Sequence, residues 1–267
     1  MWRLTAVKQH IKLIWLYFKL NLCASMEYRT SFLTQTFGMI LNNASFIFFW
    51  KIMFNNVGPI AGYNFNDVMF IWGLTSSAFG FGNIIFGNCQ GISRIIINGE
   101  LDTFLLQPKD VYLSVLCSKT AVPAWGDFFY GFILLFIIYG LDVQKFLFFT
   151  AFVIASGILY ASLFAMVEAL TFFLGNAQGL SRIAMELFIT FSIYPDKIFP
   201  TGMRWLFYSI LPTGFLIFIP LKIFKSKNFY WILLLLAIDI IYIIIGYCFF
   251  QTGLKKYESG NLITTRM

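Results

Sequence analysis

Acidic side chains stand inside or at the edges of long apolar stretches, at Asp127, Glu168, Glu186 and Asp239. A charge at the centre of a bilayer costs about 2.5–3.5 kcal/mol on the mildest scale, so each carboxylate should face protein or water, or carry a proton. Arg182 lies one helical turn before Glu186 and is expected to pair with it. Asp127 follows Pro123 and is expected to satisfy backbone donors near a kink.

Glu168 and Asp239 have no comparable explanation in the sequence. Ionisable residues that persist within membrane segments commonly line a substrate or ion pathway. We therefore predict these two residues as pathway candidates, with a purely structural role as the alternative for each.

Residues suited to catalysis or metal binding are few. His10 is the single histidine, so a histidine-based triad or metal cluster inside the membrane is not expected. The four cysteines lack CxxC spacing, which argues against a metal site or a disulfide framework. No glycine-rich loop precedes Lys119-Thr120 or Lys225-Ser226, so no phosphate-binding loop is predicted. We predict no catalytic residue, no metal and no cofactor bound by this chain.

The composition of the chain indicates a lipid environment. Of its 267 residues, 59% are hydrophobic and 12% are charged, whereas soluble domains average about 45–50% and about 25%. A membrane-spanning helix needs about 20 apolar residues, so the chain has room for several spans and short connections. The net charge of +7 lies in those connections and near the termini, where orientation signals belong, and a nucleic-acid partner is not expected.

The apolar segments predict an all-α, polytopic membrane protein with a single permease-type domain over residues 1–267. Residues 1–28 carry a basic amphipathic pattern that predicts an interfacial helix, with a soluble extension as the alternative. The six predicted spans are 29–54, 67–87, 111–140, 146–174, 179–195 and 228–250. A cytoplasmic segment at 88–110 and an external region at 196–227 complete the prediction.

The external region is the least regular part of the pattern. Four prolines recur in it or at its edge: Pro195, Pro200, Pro212 and Pro220. They favour re-entrant half-helices over a straight span. Basic residues are more numerous on the side of the two termini, which places both termini in the cytoplasm. The external lysines Lys222, Lys225 and Lys227 favour the alternative of seven spans.

Small residues recur along the second predicted span. Gly73, Gly80 and Gly87 follow one another at intervals of seven. Such a stripe permits close helix approach in membranes. It predicts a tight helix contact, either within the subunit or at a subunit interface.

The cytoplasmic segment contains the run Asn-Gly-Glu-Leu-Asp-Thr-Phe-Leu-Leu-Gln-Pro at 98–108. The glycine permits a turn, the two acids complement the positive end of a short helix at Glu100 to Gln107, and the proline ends it. Leu101, Phe104 and Leu105 are expected to share one face of that helix. This face could rest on lipid or fit a groove on a soluble partner.

This run resembles the cytoplasmic loop of type-2 ABC transporter permeases. The run at 194–200, the Ile219-Pro220 step and the tail at 253–261 also resemble the short branch of that family, which lacks a large external domain. The resemblance implies a six-span subunit with an interfacial N-terminal helix. It also implies a coupling helix between spans two and three and re-entrant helices before span six.

The implied partners are an ABC ATPase, which holds ATP and Mg²⁺, and a second permease subunit in a homodimer or a related heterodimer. The implied function is export of a lipophilic drug, peptide or lipid across a bacterial plasma membrane. The candidate coupling residues are Gly99, Glu100, Leu101, Asp102, Phe104, Leu105, Leu106 and Pro108. An ion-coupled carrier or a membrane scaffold that acts without an ATPase is the alternative.

Overall fold

The computed structural model describes residues 2–209, 212–226 and 229–258, and the regular elements within these ranges are all helical. The all-α prediction is confirmed for this part of the chain. Lys227 of the predicted external lysines and residues 259–261 of the tail run lie outside the described residues.

The first half of the chain forms α1 (Trp2–Glu27), α2 (Arg29–Val57), α3 (Phe65–Ile85), α4 (Ile92–Ile97), α5 (Asp102–Leu105), α6 (Val111–Cys117) and α7 (Ala124–Tyr139). The second half forms α8 (Val143–Glu168), α9 (Thr171–Leu174), α10 (Gln178–Ile193), α11 (Thr201–Phe207), α12 (Ile219–Ser226) and α13 (Phe229–Leu254). A 3-10 turn at Asp196–Ile198 precedes α11, and a π-helical turn at Gly214–Phe218 precedes α12.

Among the described residues, four helical stretches are long and apolar enough to cross a membrane: Arg29–Val57, Phe65–Ile85, Val143–Leu174 and Tyr230–Leu254. They correspond to the predicted first, second, fourth and sixth spans. The predicted third span is represented by the shorter apolar helix Ala124–Tyr139. The predicted fifth span corresponds to α10, which has 16 residues and carries polar groups.

The predicted third span, 111–140, is interrupted rather than kinked. The helix stops after Cys117 and restarts at Ala124, directly after Pro123. Proline lacks the backbone N–H that a continuous helix would need. The intervening backbone packs closely on the end of α3, where a Cβ added to Gly87 would lie 2.8 Å from Lys119 O. The break therefore follows from proline together with a close backbone contact.

Local sequence sets several helix ends. Asp110 Oδ1 accepts a hydrogen bond from Leu113 N at 2.8 Å and begins α6. Asp142 Oδ1 accepts from Lys145 N at 3.1 Å and begins α8 in the same way. The backbone N–H of Lys145 is also the main reason that the pKa of the Asp142 carboxyl is lowered. Gly140, with φ of +64°, ends α7.

The bundle is organised around α3, which is buried along nearly its whole length. α7 and α8 pack on α3, α13 packs on α8, and α10 contacts both α3 and α8. α2 packs mainly on α7 and leaves most of its surface exposed. The largest cluster of buried apolar side chains combines α3, α8, the segment at 88–110 and the π-helical turn.

The segment between α10 and α13 begins and ends beside the start of α3. Tyr63 OH donates to Asp196 Oδ1 at 2.5 Å, and Lys225 Nζ lies 2.6 Å from Asp67 Oδ1. Between these points the segment reaches the interior, where Ser156 Oγ, halfway along α8, donates to Leu216 O at 2.7 Å. Asp196 and Lys225 thus lie at one end of the bundle, and Leu216 lies beside the middle of α8.

Candidate functional site

The segment between α3 and α6 forms a folded unit at the opposite end of the bundle from Asp67. Gly99 has φ of +71°, a conformation that glycine adopts without strain, and it turns the chain between α4 and α5. The predicted helix from Glu100 to Gln107 is shorter than expected, because α5 covers only Asp102–Leu105. Thr103 Oγ1 donates to Glu100 O at 2.8 Å and holds this turn.

The apolar residues of the segment divide into buried and exposed groups. Leu101 is fully buried and belongs to the main apolar core. Phe104 is half-buried against the same core. Leu105 is 43% exposed and Leu106 is 86% exposed. The expectation that Leu101 shares a partner-facing surface is wrong, because Leu101 points into the bundle and is covered by it.

The polar residues of the predicted coupling set lie around this exposed surface. Glu100 Oε1 accepts from Asn98 Nδ2 at 3.0 Å, and Pro108 is exposed. Asp102 lies beside the Tyr257 ring of the C-terminal tail. Burial, with the Asp102 carboxylate as a further cause, raises the pKa of Tyr257 to about 12. The tail after α13 therefore contributes to the same end of the molecule.

A groove of about 620 Å³ lies between α1 and the last residues of the segment at 88–110. His10, Leu13 and Leu16 line one side, and residues 107–110 line the other. The sequence pattern placed α1 against lipid and did not connect it with this segment. The basic face of α1 was the only sign in the sequence of a role for this helix. That residues 107–110 form the other side of the groove depends on tertiary structure.

Glu168 anchors the segment at 88–110 to the bundle. Its Oε2 accepts from Ser93 N, in the first turn of α4, at 2.8 Å. Ser93 Oγ donates to Glu168 O at 3.1 Å, and Thr171 Oγ1 donates to Ser93 Oγ at 2.7 Å. A carboxylate at a helix N-terminus satisfies otherwise unpaired backbone donors. This geometry favours the structural alternative for Glu168 over a place in a pathway.

A second polar link joins the same segment to α3 and α8. Gln90 Nε2 donates to Asn83 Oδ1 at 3.0 Å and also contacts Tyr160 OH. Asn83 and Tyr160 are buried. Buried networks of this kind rigidify the elements that they join when their groups are satisfied. These bonds connect the segment at 88–110 with α3 and α8.

Asp239, the other predicted pathway residue, lies near the middle of α13. It is 5% exposed, and its Oδ2 has no hydrogen-bond partner among the described residues. One turn later, Tyr242 OH donates to Ser209 O, in the segment that enters the bundle. Asp239 thus lies at the depth reached by that segment.

Two further carboxylates differ from expectation. Arg182 and Glu186 are both exposed on α10, and the described ion pairs, Lys145 with Asp142 and Lys225 with Asp67, do not include them. The expected pairing along α10 is therefore not formed. Asp127 does not cap the backbone near Pro123. Its Oδ1 accepts from Asn43 Nδ2 of α2 at 2.7 Å.

The stripe of small residues on α3 faces α7 within the same chain. A Cβ added to Gly80 would lie 2.7 Å from Ala124 O and would also overlap Phe128 N. Gly73 faces Gly131, and Ser77 Oγ donates to Phe128 O at 2.7 Å. The predicted close contact thus joins two helices of one subunit in this structure.

Residues suited to holding a metal are dispersed. Cys89 and Cys117 are buried, whereas Cys23 and Cys248 are exposed. Among the described residues, no group of three or more His, Cys, Asp or Glu side chains is placed to bind a metal ion.

Comparison with known proteins identifies a family for this chain. No curated protein and no solved structure matches the chain. The family model described as ABC-2 family transporter protein matches residues 40–260, which include the segment at 88–110 and the segment before α13. The chain is therefore a multi-pass membrane permease that belongs to the ABC-2 transporter family.

Proposed function

We propose that this chain is the membrane subunit of an ATP-driven exporter in a bacterial plasma membrane. It works with an ATPase that binds at the exposed surface of the segment at 88–110, where Leu105 and Leu106 lie beside the groove that residues 107–110 form with α1. The observation that carries the proposal is the division of that segment: Leu105 and Leu106 are exposed, while Leu101 is buried and Ser93 is bonded to Glu168. A force applied to the exposed part would reach α8 through these contacts.

General interface energetics indicate which residues of this surface would contribute most to ATPase binding. Apolar anchors contribute most of the energy of an interface, and rim charges contribute less. Leu105 and Leu106 are the available anchors, with Glu100 at the rim. ATP and Mg²⁺ would be held by the partner, because the sequence contains no phosphate-binding loop. Family membership favours this function over an ion-coupled carrier or a scaffold.

A second permease subunit, identical or related, is part of the proposal. Exposed apolar side chains on α2 include Leu33, Phe37, Leu41, Phe48, Phe49 and Ile52. Lipid could cover these alone, but the neighbouring α10 also exposes Arg182 and Glu186. Charged groups are costly against lipid, so their exposure favours a protein or water-filled neighbour on this side of the subunit.

The coupling test compares Leu105→Ala and Leu106→Ala with Leu141→Ala, which removes a 91% exposed leucine at the opposite end of the bundle. The first two variants should weaken ATPase association by on the order of 2 kcal/mol, about thirtyfold, because they remove apolar anchors. Leu141→Ala and Glu100→Gln should have smaller effects. Association and ATP hydrolysis are measured in reconstituted membranes, and unchanged values for both leucine variants would contradict the proposal.

The proposed membrane topology has six spans, cytoplasmic termini and a re-entrant segment before α13. Support comes from Asp196 and Lys225, which contact the same end of α3. Single cysteines at Asn55, Lys225 and Glu100 test it after the exposed Cys23 and Cys248 are replaced; the buried Cys89 and Cys117 can stay. An impermeant reagent added outside should label positions 55 and 225 but not 100. Labelling of position 225 only from the cytoplasm would support seven spans instead.

A further inference from the structure

A cavity of about 240 Å³ lies between α2, α3, α7 and α10, away from the cytoplasmic groove. Asp127 and Asn43 line it together with apolar and aromatic side chains. Asn43 lies midway along α2, so the cavity is at membrane depth in the proposed topology. Its volume is slightly below the range of about 300–1,000 Å³ typical of ligand sites. A small ligand is therefore the appropriate class.

Asp127 gives the cavity an acidic character without a basic counterpart. It is 4% exposed, and Asn43 Nδ2 is a neutral donor to its Oδ1. Ser76 Oγ donates to the Asp127 main-chain oxygen at 2.8 Å. No Lys, Arg or His stands among the described residues that line the cavity. A buried carboxylate without a cation is costly, and a cationic ligand would supply the missing charge.

The walls of the cavity suit the apolar part of such a ligand. The rings of Phe46 and Trp72 are stacked with centroids 4.5 Å apart and an interplanar angle of 18°. Phe79 and Ile189 add further apolar surface. Aromatic faces attract organic cations, most strongly where water is excluded. The carboxylate favours a ligand with a positive charge, and the aromatic surface favours a ligand with an apolar part.

We propose that this cavity binds a small amphipathic organic cation, with Asp127 opposite its charge and Phe46 and Trp72 against its apolar part. This inference names a substrate class for the transporter and so rests on the proposed function. Asn43 positions the Asp127 carboxylate through its hydrogen bond. A neutral lipophilic molecule of the same shape lacks the charge that the cavity complements, and it binds more weakly.

The test measures binding of benzyltrimethylammonium and of its uncharged carbon analogue, neopentylbenzene, to the purified full chain. The wild-type chain should prefer the cation. Asp127→Asn keeps the shape and removes the charge, so it should weaken cation binding by about tenfold or more. Phe46→Ala should weaken binding of both compounds, whereas Asp142→Asn, at an exposed helix start, should change neither. Size-exclusion elution checks that each variant is folded.

Three results would overturn the inference: no cation binding by the wild-type chain, equal binding of the two compounds, or unchanged cation affinity in folded Asp127→Asn. If Asp127→Asn fails to fold, Phe46→Ala decides, since unchanged affinity in that variant would equally overturn it. Binding is measured without an ATPase, so a negative result leaves the exporter proposal standing. Loss of the Leu105 and Leu106 effect would instead contradict the exporter proposal and leave this site standing.

Discussion

α3 presents one face to α7 and an adjoining face to the cavity shared with α2 and α10, and different residues form the two faces. On the α7 side, Gly80 and Ser77 bring the two backbones into direct contact. On the cavity side, Trp72, Thr75 and Phe79 contact their neighbours through side chains and line an open space. α3 thus has a backbone contact on its α7 side and a side-chain contact on its cavity side.

The physical difference between the faces is the type of atom at the contact. Backbone atoms of α7 lie against Gly80 and cannot move aside without displacing a helix, whereas aromatic side chains around the cavity can change rotamer. In lipid, where apolar surfaces gain little from meeting each other, close backbone packing and interhelical hydrogen bonds stabilise association. We expect α3 and α7 to move as one body, and α2 or α10 to move relative to them during transport.

The largest expected effect is that of Gly80→Leu. A side chain at this position would overlap Phe128 N and Ala124 O, so the helices would separate at a cost of at least about 3 kcal/mol. Folded protein should be lost, as measured by expression and size-exclusion elution in detergent. Gly38→Leu on α2 is the matched control, because no atom lies within 4 Å of a Cβ there. Equal yields of the two variants would remove the distinction between the faces.

An intermediate effect is expected where two glycines face each other. A Cβ at Gly131 would overlap Gly73 O and Ser77 Oγ, whereas a Cβ at Gly73 would lie 3.4 Å from its nearest neighbours. Gly131→Ala should therefore lower the free energy of unfolding by about 1–3 kcal/mol, and Gly73→Ala by less than about 1 kcal/mol. Thermal unfolding in detergent compares them. A larger loss of stability for Gly73→Ala than for Gly131→Ala would contradict this geometry of the contact between α3 and α7.

The smallest effect is expected for the interhelical hydrogen bond. Ser77→Ala removes the bond to Phe128 O and should cost about 0.6 kcal/mol, the average for such bonds in membranes. Phe79→Leu on the cavity side should change stability by a comparably small amount but should alter cation binding. If Ser77→Ala destabilises the chain as much as Gly131→Ala does, hydrogen bonding rather than close packing stabilises the contact between α3 and α7.

The segment at 88–110 shows how much of the candidate site could be predicted from residue patterns. The run at 98–108 identified the segment, and Gly99 and Pro108 indicated its limits from their backbone preferences. The pattern could not tell that Leu101 is buried while Leu106 is exposed, because a single helical turn between two loops has no regular periodicity. It also could not show that Glu168, 75 positions after Ser93, would meet the start of α4.

Composition and segment length were sufficient to predict a helical membrane protein, because the apolar segments are longer and more apolar than those of soluble folds. The sequence also identified the glycine stripe on α3, since small residues at helical spacing have few other uses in lipid. The folded arrangement of the helices shows which helix the stripe meets and what surrounds each carboxylate. Glu168 accepts a hydrogen bond from the start of α4, and Asp127 lines a cavity. Residues distant in sequence supply the hydrogen-bond donor to Glu168 and the cavity beside Asp127. Such surroundings determine what a buried carboxylate can do.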